Sequence, residues 1–147
     1  MEQFNSFLET DIDLINIINS YRLTAFFEAS DDDIERDMLP SEGGLSPAKQ
    51  KAIYSADTSE EFIKRFSKTS YGRQMIENGY DINDLEQSAN KLRHKYAKLM
   101  LKRSASAPLS VYSFMFLLEI EVKNIISIIE GIRYGVEAGK IAPLIIM

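Results

Sequence analysis

The stretch Asp11-Ile12-Asp13-Leu14-Ile15-Asn16-Ile17-Ile18 returns without a gap, 108 residues further on, as Glu119-Ile120-Glu121-Val122-Lys123-Asn124-Ile125-Ile126. Ile12, Asn16, Ile17 and Ile18 have identical counterparts, and each carboxylate is matched by a carboxylate. Chance likeness of two apolar helices explains this poorly. Self-similarity at a fixed offset marks repeated supersecondary units, so the chain reads as one full repeat and the opening helix of another. On a helix the second acid and the Asn are three apart and share a face. Asp13 with Asn16, and Glu121 with Asn124, are therefore read as structural polar pins. In each pair the amide is expected to bond a neighbouring helix and the acid to meet a helix terminus or a base, because buried polar groups are as a rule satisfied.

Outward from the repeat, apolar spacing is helical nearly throughout. Leu8, Ile12, Ile15, Ile18, Arg22 and Phe26 recur at threes and fours and predict a helix over 7–28. Ser30 ahead of Asp31, Asp32 and Asp33 gives the next helix, to Met38, an N-cap and a first turn whose carboxylates suit the helix dipole. Residues 40–46 (PSEGGLS) form a loop, and Ser46-Pro47 reads as N-cap and first residue of a helix to about Ala56. Thr58-Ser59-Glu60-Glu61 fits a capping box, in which Thr58 and Glu61 reciprocally satisfy free backbone donors. Phe62, Ile63 and Phe66 supply that helix's core face.

Tyr71-Gly72 opens a short helix that Gly79 ends. Asp81 or Asn83 caps a longer one, with Leu85, Ala89, Leu92, Tyr96 and Leu99 as its stripe, ending before Pro108. The last helix runs over 109–134, with Gly135 and Gly139 as punctuation. Apolar residues surround most of its circumference, which predicts a central position with Ile125 buried. Its narrow line of Asn124, Ser127 and Gly131 suits close approach by another helix. No strand alternation occurs. The expected fold is all-α, a bundle of about seven or eight helices in a single domain over 1–147, one and a half units of an internally repeated helical domain.

Composition agrees with a packed domain. With 147 residues, 45% of them apolar, folding can bury roughly 70% of the extended chain's surface, which excludes intrinsic disorder. No apolar run is long enough to span a membrane, since Val111 to Leu118 contains Ser113 and meets Glu119. The N-terminus is too acidic and polar for a signal peptide. Without cysteine there is no disulfide framework and no thiolate metal site, and a cytoplasmic location is the default. The net charge of −5 hides an asymmetry: 14 acids and 4 bases give residues 1–61 a charge of −10, while 8 acids and 13 bases give 62–147 a charge of +5. Overall acidity argues against nonspecific nucleic-acid binding.

Catalytic parts are missing from the pattern. The single histidine, His94, lies among Lys91, Arg93, Lys95 and Lys98 and reads as a solvated surface residue. Gly43-Gly44 is followed by Leu-Ser, not by the Lys-Ser/Thr of a P-loop. Asp11-x-Asp13 lacks the calcium loop's sixth-place Gly, which is Asn16 here, and its terminal Glu, which is Arg22. Asp31 to Asp33, with Glu35 and Asp37, are explained as helix N-terminal acids. No catalytic, cofactor or metal residue is expected. Lys91, Lys95, Lys98 and Lys102 share one helical face opposite Leu92, Tyr96 and Leu99, a positive stripe that could meet anionic lipid, an acidic protein surface or a phosphate backbone.

The closing segment, Phe114-Met-Phe-Leu-Leu-Glu119-Ile-Glu121-Val-Lys-Asn124-Ile-Ile-Ser-Ile-Ile-Glu130-Gly-Ile132 with Lys140-Ile-Ala-Pro143-Leu-Ile-Ile, resembles the C-type subunits of bacterial and archaeal rotary ATPases and their vacuolar counterparts, the d-type subunits. Leu39-Pro40, Gly43-Gly44-Leu-Ser46 and Lys68-Thr-Ser-Tyr71-Gly72 fall in the family's order. The resemblance covers nearly the whole chain. It implies a non-catalytic rotor component of a V/A-type ATPase, without cofactor, built from related helical units arranged as a funnel and seated between central stalk and membrane rotor ring. Its implied place is the cytoplasmic face of a membrane, reached only through the complex, with no nucleic-acid partner. The chain is less than half the family's length and corresponds to its C-terminal part. Ile126 stands where bacterial and archaeal members often carry Arg, while Glu130 follows the eukaryotic pattern. A helical adaptor that binds an anionic surface through the stripe over 91–103 is the alternative.

Overall fold

The computed structural model describes residues 2–27 and 29–147. The described residues form eight α-helices: α1 (Glu2–Phe27), α2 (Asp31–Asp37), α3 (Pro47–Tyr54), α4 (Ser59–Phe66), α5 (Ser70–Glu77), α6 (Leu85–Arg103), α7 (Ala107–Arg133) and α8 (Ala138–Ile141). A 3₁₀ turn over Ala142–Leu144 follows, and the described residues include no strand. The fold is all-α. None of the described helices is long and apolar enough to cross a membrane.

Residues 2–89 form one compact unit. Three of its short helices begin where a side chain supplies a cap, while Ser46, the expected cap of α3, makes no capping bond and the helix opens on Pro47 alone. The oxygens of Ser30, Thr58 and Thr69 accept the backbone N–H groups of Asp33, Glu61 and Gly72, which α2, α4 and α5 would otherwise leave unpaired. Only half of the expected capping box forms, because the Glu61 carboxylate turns to Arg65 instead, at 2.8 Å. α1 packs against α3 and α4, burying Phe7, Leu14, Ile17 and Ile18 with Phe62, Phe66 and Met75. Tyr21 meets the Phe62 ring edge-on at 5.5 Å. The buried stripe differs from the one expected: Ile12 is half-buried, and Arg22 and Phe26 are exposed. α1 is apolar on more than one face, so spacing alone offers several stripes and the packing of α3 and α4 selects one. Arg22 pairs with Glu86 through its Nε and Nη2, one to each carboxylate oxygen. α1 begins five residues earlier than expected, and its expected last residue, Glu28, lies outside the described residues.

α6 starts later than either predicted cap. Asp84, directly before Leu85, accepts the Gln87 N–H, whereas Asp81 builds a turn by accepting the Asn83 N–H at 3.0 Å.

Residues 90–147 form a second compact unit. α7 buries one face, Leu109, Ser113, Phe116, Ile120 and Gly131, and exposes the opposite one. Ile125, expected in the core, is 51% exposed. Apolarity around a helix shows what its faces prefer, not that each has a neighbour, and the expectation of a central helix is thereby corrected. Gly135, at φ +67°, ends α7 in the left-handed region, with the Val136 N–H donating to the Gly131 carbonyl at 2.8 Å. The chain then returns along α7, and Ile141 sits on Gly131 so closely that a Cβ there would collide with it. The line of small and polar residues on α7 thus receives the C-terminal return of its own unit.

Candidate functional site: two asparagine pins

Asp13 and Asn16 stand one turn apart on α1, each 1% exposed. Asn16 clasps the backbone of Leu39, its Nδ2 donating to the carbonyl at 2.8 Å and its Oδ1 accepting the N–H at 2.9 Å. Asp13 collects the loop that follows. Its Oδ1 accepts the Ser41 hydroxyl at 2.6 Å, and its Oδ2 accepts the Tyr71 hydroxyl at 2.8 Å and the Leu45 N–H at 3.2 Å. Glu9, one turn earlier, accepts the Glu42 N–H at 2.8 Å. Two glycines let the loop come this near: a Cβ on Gly43 would stand 2.5 Å from Asp13 Oδ2, and one on Gly44 2.9 Å from the Tyr71 oxygen. Burial pushes the Tyr54 and Tyr71 hydroxyls well above the usual tyrosine range, and the Asp13 charge pushes them further. Sequence reasoning assigns 40–46 to a loop without joining it to Asp13. The signal is Gly-Gly beside Ser41, which marks close backbone approach.

The second copy repeats the clasp. Asn124 Nδ2 donates to the Ile146 carbonyl at 2.8 Å, and its Oδ1 accepts the Ile146 N–H at 3.0 Å. Glu121, the counterpart of Asp13, is exposed instead, on a shallow open groove with His94, Lys98 and Ile146. His94 is only 8% exposed, which corrects its reading as a solvated residue. Burial, and next to it the Lys98 charge, hold its pKa below the ordinary 6.5, so the imidazole is neutral at pH 7. Arg93, its neighbour, lies over the Phe116 ring at 4.7 Å.

Lys95, Lys98 and Lys102 are exposed and Lys91 half-buried along α6. In the acidic run, Asp33 bonds Ser30 and Arg36, and these contacts hold its carboxyl below the usual range. Glu35 lies 3.8 Å from Lys51. Among the described residues no three acidic or histidine side chains converge as a metal site. What the pins can do chemically is bind backbone: each presents a donor and an acceptor to one residue of an extended segment.

A family model described as ATP synthase (C/AC39) subunit matches residues 1–143. No curated protein and no solved structure matches the chain.

Proposed function

The chain belongs to the ATP synthase (C/AC39) subunit family, and on that footing we propose that it is a non-catalytic rotor part of a V/A-type ATPase, coupling the central stalk to the membrane ring. One observation carries the reading. The landmarks through which the sequence resembles the C-type and d-type subunits, namely Leu39, Gly43-Gly44-Leu45 and Tyr71, are the groups gathered on Asp13 and Asn16. A helix tied to a loop by two hydrogen bonds of the Asn16 amide and a carboxylate that accepts from three donors yields little under load, which suits a part that transmits torque by shape. Interiors packed to crystal-like density transmit strain well.

The test is capture of this chain by the purified central-stalk subunits of its own organism, at low and at high salt. Retention that survives salt is expected of a socket with an extensive packed contact. A second reading rests on the exposed ammonium groups of α6. It expects capture by anionic vesicles or RNA instead, lost steeply as salt rises. Failure to bind stalk subunits at either salt overturns the coupling reading for this chain.

A further inference from the structure

The return over 142–147 and the chain's single histidine meet in one groove of about 250 Å³. His94 and Lys98 come to it from α6, Leu117, Ile120, Glu121 and Asn124 from α7, and Ile146 from the return. His94 is 8% and Ile146 9% exposed, so the ring and the docked return share one closed space. Little holds the return there. Beyond Ile141, which rests on Gly131, it has the Ile145 N–H donating to the Ala142 carbonyl at 3.3 Å and the two Asn124 bonds to Ile146. α6 and α7 are continuous helices of 19 and 27 residues. Segments with few bonds of their own open first.

We propose that His94 is an acid-released latch for this return: a proton taken up by the ring undocks 142–147 from Asn124, while α6, α7 and the contact of Ile141 with Gly131 stay in place. In the closed groove a charged imidazole shares its space with Leu117, Ile120 and Ile146 and stands one turn from the Lys98 ammonium. Undocking returns it to water. Among the described residues, Lys98 of α6 and Glu121 of α7 are the charged groups that line the groove. Lys98 opposes the proton. Glu121 favours it, but is exposed and screened by water. The return carries no titratable side chain. Burial first, and Lys98 second, therefore keep the docked ring's pKa below the ordinary 6.5. Docking is complete above about that pH and is lost as pH falls below it, until the docked ring itself takes the proton.

Amide exchange of the full chain from about pH 8 to about pH 5.5, expressed as protection factors to remove the intrinsic pH dependence, reads the latch at Ile146. Its protection should fall by up to about tenfold per pH unit below the ordinary imidazole value, the limit set by one proton. Leu39 and the amides of α6 and α7 should keep theirs. His94→Leu, which cannot take a charge, should hold Ile146 protection flat over the range. Lys98→Gln leaves the groove's packing untouched and should shrink the loss, because one of the two influences opposing the proton is gone. Ile146 protection that is flat in the parent chain, or a loss undiminished in His94→Leu, overturns the proposal. So does a loss that Leu39 and the helices share, which means acid unfolding of the chain and not release of the return.

Discussion

Asp13 holds a charge that is costly to bury, and the chain offsets the cost with donors. A carboxylate withdrawn from water is tolerable only when hydrogen bonds replace the lost hydration. Here a serine hydroxyl, a tyrosine hydroxyl and a backbone N–H do so. Asp13→Ala strands all three, and urea denaturation should show a loss of about 3 kcal/mol. Asp13→Asn keeps the volume and one acceptor oxygen but turns an amide NH2 donor toward another donor, so its loss should be smaller without vanishing. An Asp13→Ala chain within about 0.5 kcal/mol of the parent would remove the carboxylate from its place as the loop's anchor. The same charge acts on Tyr71. Its raised pKa means that the fold favours the neutral phenol, so the associated stability is present below about pH 10 and is lost as pH rises past the unfolded value. In Asp13→Ala, ultraviolet titration should find Tyr71 ionising earlier, because the second-largest cause of its shift is gone.

Among the elements, α7 shows how one helix can be both satisfied and unsatisfied. Its inward face has a flaw: the Ser113 hydroxyl, fully buried, meets no hydrogen-bond partner among the described residues. Ser113→Ala should therefore be neutral or stabilising by up to about 1 kcal/mol, whereas Ile120→Ala, one packed layer along the same face, should cost about 2–4 kcal/mol. A clear loss in Ser113→Ala melts would mean that the hydroxyl has a partner after all. Elements of this kind were legible in the sequence as far as local chemistry reaches. Ser30 and Thr58 announced α2 and α4, and Gly135 announced the end of α7, because caps and left-handed turns act within a few residues. Burial was not legible on α1 or α7. Both carry apolar residues on several faces, and whether Ile17 is covered and Ile125 is not depends on α3 and α4 lying against the one and on no counterpart lying against the other. Asp84 was passed over for Asp81 and Asn83 for a related reason: all three suit a cap, and the turn built on Asp81 decides which one opens the helix.

At the scale of the whole molecule, the two similar stretches of sequence carry the same pair of bonds. Asn16 clasps the residue 23 positions on, and Asn124 the residue 22 positions on, each through the same donor and acceptor pair. The surroundings differ. Asn16 is buried beside a buried carboxylate but holds an exposed Leu39, while Asn124 is half-buried beside an exposed Glu121 and holds a buried Ile146. Hydrogen exchange can compare the two in one experiment, because Leu39 and Ile146 lie outside regular helix and owe their amide protection to Asn16 and Asn124. Asn16→Ala should speed exchange at Leu39 about tenfold, the equivalent of one hydrogen bond of roughly 1.4 kcal/mol, and leave Ile146 as it was; Asn124→Ala should do the converse. Asn16→Asp, which keeps the acceptor for the Leu39 N–H and loses the donor, should retain most of the protection even where the alanine variant loosens α1. Leu39 protection unchanged in Asn16→Ala would mean that the amide is shielded by burial of the loop, and that the two asparagines share a sequence pattern without sharing a task.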